Sequence, residues 1–308
     1  MLVLAGGCGT LAVWSAPEKT KSATRTPAAE RADTQFWRTL HAGAYDQIPQ
    51  SLTALKAAYL ADPNDSVTAA HIGFMHIWRL AERARIASGP GPEITDDAVL
   101  ARKYFEEAVR LDPGDARYLG FYASLLMTEG TIHKDEKLVR RGYYTMREAV
   151  AAWPEFNYFT AGYSASALPY DSPRFKEAVE AQWLNLDACV GARVDRASPD
   201  YARYMGLAKQ GPKRACWNSA IAPHNFEGFF LNFGDMLVKA GDPATAVKMY
   251  GNARLTSDYA MWPYKQVLEE RIANAAANVE VFRRSNPQPG SRTIMVQSTY
   301  ACMGCHQQ

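Results

Sequence analysis

The chain has 308 residues, of which 47% are hydrophobic and 21% are charged, and its formal net charge is +2. These values are typical of globular proteins, and the length allows one or two domains with a sizeable core. A charge this close to neutral gives no reason to expect a nucleic-acid partner. No run of about 18 apolar residues occurs, so the sequence predicts no membrane-spanning segment.

The N-terminal region carries features of export. Residues 4–8, Leu-Ala-Gly-Gly-Cys, resemble a bacterial lipobox, which implies an export signal over 1–16 and lipidation of Cys8. Only seven residues precede Cys8 and none of them is basic, so a plain cleaved signal that ends near Ala16 remains an alternative. Residues 17–33 are rich in Ala, Thr, Lys, Glu and Pro, and this composition predicts a flexible linker.

Helical repeats follow the linker. The segments 61–65 (Ala-Asp-Pro-Asn-Asp) and 111–115 (Leu-Asp-Pro-Gly-Asp) are near copies, in which Pro ends one helix and the last Asp caps the next. A third segment, 230–253, places Phe, Gly, Tyr and Ala at helix-crossing spacings around a Gly-Asp-Pro turn. This pattern resembles the tetratricopeptide repeat family. The resemblance implies an all-α solenoid of helical hairpins over 34–285.

Some segments depart from that repeat. About 16 extra residues around 88–92 separate two helices, a shorter insertion surrounds 131–137, and 157–190 fits poorly. Insertions in solenoids usually form loops on one face. The family itself implies a scaffold with a concave groove for a partner, and it does not imply a particular reaction.

Five cysteines divide by position. Cys8 belongs to the lipobox and two others belong to a motif at the C-terminus. The remaining two, Cys189 and Cys216, predict a disulfide in an oxidising compartment. Two buried free thiols are the alternative for this pair.

The C-terminus contains Cys302-Met303-Gly304-Cys305-His306. C-x-x-C-H is the attachment signature of a c-type haem, in which both thiols join the porphyrin and the imidazole binds iron as proximal ligand. The motif therefore predicts one covalent haem c on Cys302, Cys305 and His306. Two alternatives are a redox dithiol, which belongs after a strand in a βαβ unit, and a zinc site, which needs about four ligands.

The haem would lie on a C-terminal tail, 286–308, that begins at a Pro- and Gly-rich helix stop. A small cytochrome c wraps its haem mostly in residues that follow the motif, whereas two residues follow it here. We therefore expect an extended tail rather than a cytochrome c domain. Because an apolar porphyrin needs cover, we expect the tail to fold back so that the helical body or a partner protein shields the haem.

The sixth iron ligand decides the haem chemistry, since His or Met gives an electron carrier and an open position admits small ligands. His224 is the first candidate, because it precedes a predicted helix near the last repeat, where we expect it to be accessible. His71 is the second. His76 falls at a core position of the repeat and is expected to be buried. His41 and His133 are typical of surface or helix-end residues.

These features predict an exported monohaem c-type cytochrome, in the bacterial periplasm or at the cell surface, attached to a membrane through lipid alone. Its helical body would dock a redox partner or a multi-subunit electron-transfer complex. Electron carriage is favoured over enzymatic catalysis, since the Walker, H-E-x-x-H and G-x-G-x-x-G motifs are absent. The alternatives are a repeat scaffold with a structural haem and a haem enzyme or sensor with an open distal site.

Overall fold

The structure is a computed structural model that describes residues 12–86, 89, 91–284 and 291–308. Over these residues the protein is helical and contains no strand, which confirms the all-α prediction. No helix among them is long and apolar enough to span a membrane. The predicted lipidation site, Cys8, lies outside the described residues.

The main helices follow one another along the chain with short connections in the first half. They are α1 (Pro27–His41), α2 (Ile48–Ala61), α3 (Ser66–Ala81), α4 (Glu93–Leu111), α5 (Ala116–His133), α6 (Glu136–Ala152), α7 (Pro154–Ala165), α8 (Pro173–Val190), α9 (Asn225–Ala240), α10 (Pro243–Asn252), α11 (Lys265–Ala273), α12 (Ala275–Phe282) and α13 (Met303–His306). Consecutive helices pack as hairpins: α1 with α2, α3 with α4, α5 with α6, α7 with α8, and α9 with α10.

Side-chain caps explain where several helices begin. The Asp65 carboxylate accepts hydrogen bonds from the backbone N–H groups of Val67 (3.0 Å) and Thr68 (3.3 Å) at the start of α3. Asp115 accepts from Arg117 N–H (2.9 Å) at the start of α5 in the same way. These bonds satisfy donors that the first helical turn leaves free. The Asp residues of the two near-copy segments are therefore the caps that the sequence predicted.

Close helix crossings depend on small residues. A Cβ on Gly234 in α9 would lie 2.2 Å from the Tyr250 ring of α10, so only glycine allows this approach. Gly241 ends α9 with φ of +100°, a left-handed conformation that glycine adopts without strain. Pro243 then begins α10. The Gly-Asp-Pro turn predicted from the sequence is present.

Part of the linker predicted over 17–33 is helical, since residues 27–33 belong to the first helix. The helix α1 begins at Pro27, where the Thr26 hydroxyl accepts a hydrogen bond from Ala29 N–H (3.1 Å). Ala29 and Ala32 are buried against the body. The Ala-rich composition that suggested a linker is instead the buried face of a capped helix.

The segment before α1 lies along the helical body through charged contacts. Lys19 Nζ is 2.6 Å from Glu107 Oε1, and Lys21 forms an ion pair with Asp112. Arg25 Nε lies 3.0 Å from the Asp65 carboxylate. These partners are far away in sequence, and they fix a segment whose composition alone suggests disorder.

A long loop, 191–224, joins α8 to α9. It contains two short 3-10 helices, Ala202–Tyr204 and Gly211–Cys216. Cys216 is joined to Cys189 at the end of α8 by a disulfide with an S–S distance of 2.01 Å. The expected pairing is thus present, and we call this segment the stapled loop.

Candidate functional site

The C-x-x-C-H motif forms one helical turn. Gly304 N–H donates to the Tyr300 carbonyl (2.7 Å) and His306 N–H donates to the Cys302 carbonyl (3.2 Å). At about 100° per residue, the side chains of Cys302, Cys305 and His306 project within an arc of about 100°. Neither cysteine is in a disulfide. Two thiols and an imidazole therefore share one face of a single turn.

Glu82, directly after α3, holds the start of this turn. Its Oε1 accepts hydrogen bonds from the backbone N–H groups of Cys302 (2.9 Å) and Met303 (3.0 Å). Its Oε2 lies 2.8 Å from Arg85 Nε. Glu82 is fully buried, and burial raises the pKa of its carboxyl group. A helix cap is thus supplied by a residue 220 positions earlier in the chain.

The opposite side of the turn contacts the C-terminal helices. Trp262 Nε1 donates to the Gly304 carbonyl (2.9 Å), and His224 N–H donates to the Cys305 carbonyl (3.0 Å). Gly228 in α9 faces the turn so closely that a Cβ there would lie 2.3 Å from Cys305 Sγ.

The tail joins two separate cores. Met303 packs into the cluster built from α1, α2 and α3, whereas Cys305 packs into the cluster around α9. Between them, the Tyr163 hydroxyl of α7 donates to the Ala301 carbonyl (2.9 Å). The tail therefore folds back and docks on the helical body, as we expected from the need to cover an apolar cofactor, although it is not extended along its whole length.

A buried ion pair fixes the start of the tail. Asp235 in α9 and Arg271 in α11 lie 3.0 Å apart, and both are buried. Asp235 also accepts from the Tyr250 hydroxyl (2.6 Å) and from Met295 N–H (2.8 Å), while Arg271 donates to the Thr293 carbonyl. Buried charges require this degree of pairing. The same pair therefore anchors residues 293–295.

The His306 imidazole is oriented by the stapled loop. Its Nδ1 lies 2.9 Å from the Ile221 carbonyl oxygen, so Nδ1 is the donor and Nε2 keeps a free lone pair. Burial lowers the pKa of His306 to about 4, so the ring is neutral at pH 7. The Phe74 ring packs against it in a T-shaped arrangement, with ring centroids 5.3 Å apart.

Burial disfavours the thiolate form of both motif cysteines. Burial raises the pKa of Cys305 to about 12 and raises the pKa of Cys302 well above its ordinary value. Reactive dithiols have the opposite property, because their nucleophile is a thiolate stabilised by nearby positive charge. The surroundings of this pair therefore do not suit a dithiol redox centre.

A row of half-buried aromatic rings extends from His306 across neighbouring hairpins. Phe74 of α3 contacts Phe121 of α5, with centroids 5.8 Å apart, and Phe121 contacts Phe156 of α7 at 5.9 Å. Each belongs to the first helix of its hairpin. All three rings keep part of their surface accessible.

The candidate distal histidines lie at different distances from the motif. His224 bonds the motif through its backbone, and its Nδ1 is 3.7 Å from Glu227 Oε2. It was expected to be accessible, yet it is 4% exposed, because the tail covers it. His71 stacks on Phe36 and lies 2.7 Å from Asp33, and its pKa is lowered by burial. Phe36 in turn contacts Phe74, with ring centroids 6.1 Å apart.

The remaining histidines lie as the sequence predicted. His76 is buried, with its Nδ1 2.7 Å from Asp97 Oδ1. His41 and His133 are the last residues of α1 and α5. In the described part of the chain, no three His, Cys, Asp or Glu side chains converge as metal ligands.

Sequence reasoning missed the residues that hold the motif. Glu82 follows a helix and has no local pattern that distinguishes it from a solvated charge. Trp262 lies in a Met-Trp-Pro segment. The one sequence signal for its role is that a buried indole N–H needs a hydrogen-bond acceptor. Comparison with protein-family models, curated proteins and solved structures found no match for this chain.

Proposed function

We propose that this protein is an exported monohaem c-type cytochrome that transfers single electrons in the cell envelope, as a subunit of a larger redox assembly. The observation that carries the proposal is the C-x-x-C-H turn, in which both thiols and a neutral imidazole share one face. The Ile221 carbonyl holds His306 by Nδ1. Metal-binding histidines usually have such a carbonyl partner, which fixes the tautomer and leaves Nε2 for the metal.

Three residues would hold the cofactor. Cys302 and Cys305 would form thioethers with the porphyrin, and His306 would bind the iron through Nε2. When bound, haem supplies an iron that cycles between its ferrous and ferric states. The protein fixes the imidazole through Ile221 and the backbone of the turn through Glu82, so the chain itself sets the geometry of the three residues.

The aromatic row would shield the cofactor. A porphyrin is a large apolar plate, and an exposed apolar patch of that size favours association. Phe74, Phe121 and Phe156 offer an apolar surface that begins at His306. Of the two candidates for the sixth ligand, contact with the motif supports His224 over His71, because the His224 backbone bonds Cys305 whereas His71 packs on Phe36.

The helical body would act as a docking scaffold. Its hairpins support the resemblance to tetratricopeptide repeats, whose concave faces commonly bind partner proteins. The bonded Cys189 and Cys216 support an oxidising compartment such as the periplasm. Lipidation of Cys8 would then attach the protein to a membrane.

The proposal is tested by producing the protein in a host with haem-attachment machinery. We expect intact mass to rise by one haem and the reduced protein to give a low-spin c-type spectrum. Cys302→Ser and Cys305→Ser should each lose a thioether, whereas Cys8→Ser should keep both. A mature protein whose mass equals that of its amino acids and lipid would refute the proposal.

Carbon monoxide separates the related alternatives. A spectrum that is unchanged by this ligand supports a carrier with two protein ligands to iron. A high-spin spectrum that shifts on binding indicates an open site, as in an enzyme or sensor. The same measurement on His224→Ala and His71→Ala tests the distal assignment.

A further inference from the structure

The stapled loop carries an excess of positive charge. Residues 191–224 contain six basic and two acidic side chains, whereas the whole chain has 34 and 32. The basic residues are Arg193, Arg196, Arg203, Lys209, Lys213 and Arg214. The disulfide between Cys189 and Cys216 returns the end of the loop to its start, where the Lys213 ammonium lies 3.3 Å from where a Gly191 Cβ would be. Arg193 and Arg203 line one surface depression.

Most of these cations have no carboxylate partner. Arg196 lies 2.8 Å from Asp187 Oδ2, but the other five form no ion pair with any described residue. The two acidic residues are engaged in their own turns, since Asp195 accepts from Ala197 N–H (2.9 Å) and Asp200 from Ala202 N–H (3.0 Å). The five unpaired basic side chains are therefore available to bind an external anion.

The cations are held in place by aromatic rings. Arg203 lies over Tyr204 (4.9 Å), Lys209 over Trp217 (4.6 Å) and Arg214 over Trp153 (4.2 Å), each measured to the ring centroid. Stacking of this kind limits side-chain motion, so binding costs less conformational entropy. Arg, Tyr and Trp are enriched at protein–protein interfaces. Fixed, aromatic-backed cations suit a protein surface better than a fluid lipid surface.

The same loop ends on the C-x-x-C-H turn. Ile221 accepts from His306, and His224 donates to Cys305. Ile221 lies seven positions after Arg214, and an extended chain of that length reaches at most about 25 Å. A partner bound at Arg214 would therefore lie within about 25 Å of the residue that holds His306.

We propose that the basic loop face, formed by Arg193, Arg203, Lys209, Lys213 and Arg214, docks the acidic face of a folded partner protein. That the partner is a redox protein rests on the proposed function, but the charge preference does not. The loop thus serves two purposes, with one side holding the imidazole and the other receiving the partner.

The test measures binding to immobilised poly-L-glutamate at low and high salt. Arg203→Glu/Lys209→Glu is compared with Lys137→Glu/Lys176→Glu, a control pair of exposed lysines outside the loop with the same change in net charge. We expect the loop variant to lose affinity about tenfold or more at low salt, with little change in the control, and the difference to shrink as salt screens the charges.

Equal loss in both variants would overturn the proposal, because binding would then follow net charge alone. Binding of the wild type to phosphatidylglycerol vesicles but not to poly-glutamate would also overturn it and would assign the face to a membrane. Arg203→Gln/Lys209→Gln, with folding checked by circular dichroism, should give a smaller loss. Poly-glutamate binding is measurable whether or not the chain carries haem, so a failure of the cytochrome proposal is separately visible.

Discussion

Replacing Glu82 by alanine should release the C-terminal tail. The substitution removes the acceptor of the Cys302 and Met303 N–H groups and leaves Arg85 without its partner. Two charge-assisted hydrogen bonds contribute about 1.5–3 kcal/mol each, and the desolvation of a buried carboxylate offsets part of this. We therefore expect docking to weaken by about 3 kcal/mol, which is about a 150-fold increase in the open population.

Amide hydrogen exchange measures this opening directly. A C-terminal peptide that contains Cys302 and Met303 should exchange much faster in Glu82→Ala, while peptides from α5 and α6 keep their protection. Glu82→Gln retains an acceptor oxygen and should fall between the wild type and the alanine variant. Glu136→Ala, an exposed carboxylate paired with Arg140, should behave as the wild type.

Two results would contradict the reasoning. Wild-type exchange of the tail in a folded Glu82→Ala protein would mean that Glu82 does not hold the turn. Uniform loss of protection across the chain would mean that Glu82 supports the whole fold rather than the tail.

Three further changes test the packing around the site. In Gly228→Ala the new Cβ collides with Cys305 Sγ, so docking of the tail should weaken by about 1–3 kcal/mol and the tail amides should exchange faster. The control is Gly206→Ala, whose Cβ meets no neighbour within 4 Å and should leave exchange of the tail unchanged. Removing the disulfide, which spans 27 positions, should lower the free energy of unfolding by about 3.5 kcal/mol in denaturant titrations. Burial lowers the pKa of Lys239 to about 8 from an ordinary value of 10.5, so the unfolded chain binds more protons between these values and stability should rise with pH across that window. In Lys239→Met this rise, at most about 3 kcal/mol, should disappear, as urea unfolding at pH 8 and pH 10 would detect.

Local chemistry made the helices predictable. Asp65 and Asp115 cap helices by bonding groups two or three positions away, and the repeated Pro stops the preceding helix. Such interactions join residues that are close together in the sequence, so the sequence predicts them. The hairpin order followed from the same repeat, because short connections place consecutive helices side by side.

Long-range contacts made the rest unpredictable. The composition of the segment before α1 predicts disorder, but Lys19 and Arg25 form ion pairs with carboxylates that are distant in sequence. Likewise, the C-x-x-C-H spacing identifies the motif in the sequence. Glu82 and Trp262, which bond its backbone, are distant in sequence and reach it only in the folded chain. His224 was expected to be accessible for the same reason, since its contact with Cys305 of the tail cannot be read from its neighbours in sequence.

The stapled loop positions an imidazole although its own backbone is irregular. Orienting His306 requires the Ile221 carbonyl to stay fixed, although no helix contains it. The disulfide ties the loop to α8, and Asn225 at the start of α9 donates to the Ala215 carbonyl (2.8 Å), so both ends of the segment 216–224 are restrained. The disulfide that restrains the loop therefore also restrains the His306 imidazole and the basic side chains of the loop. Loss of the disulfide should accordingly disturb the site and the basic loop face together, before the helical body unfolds.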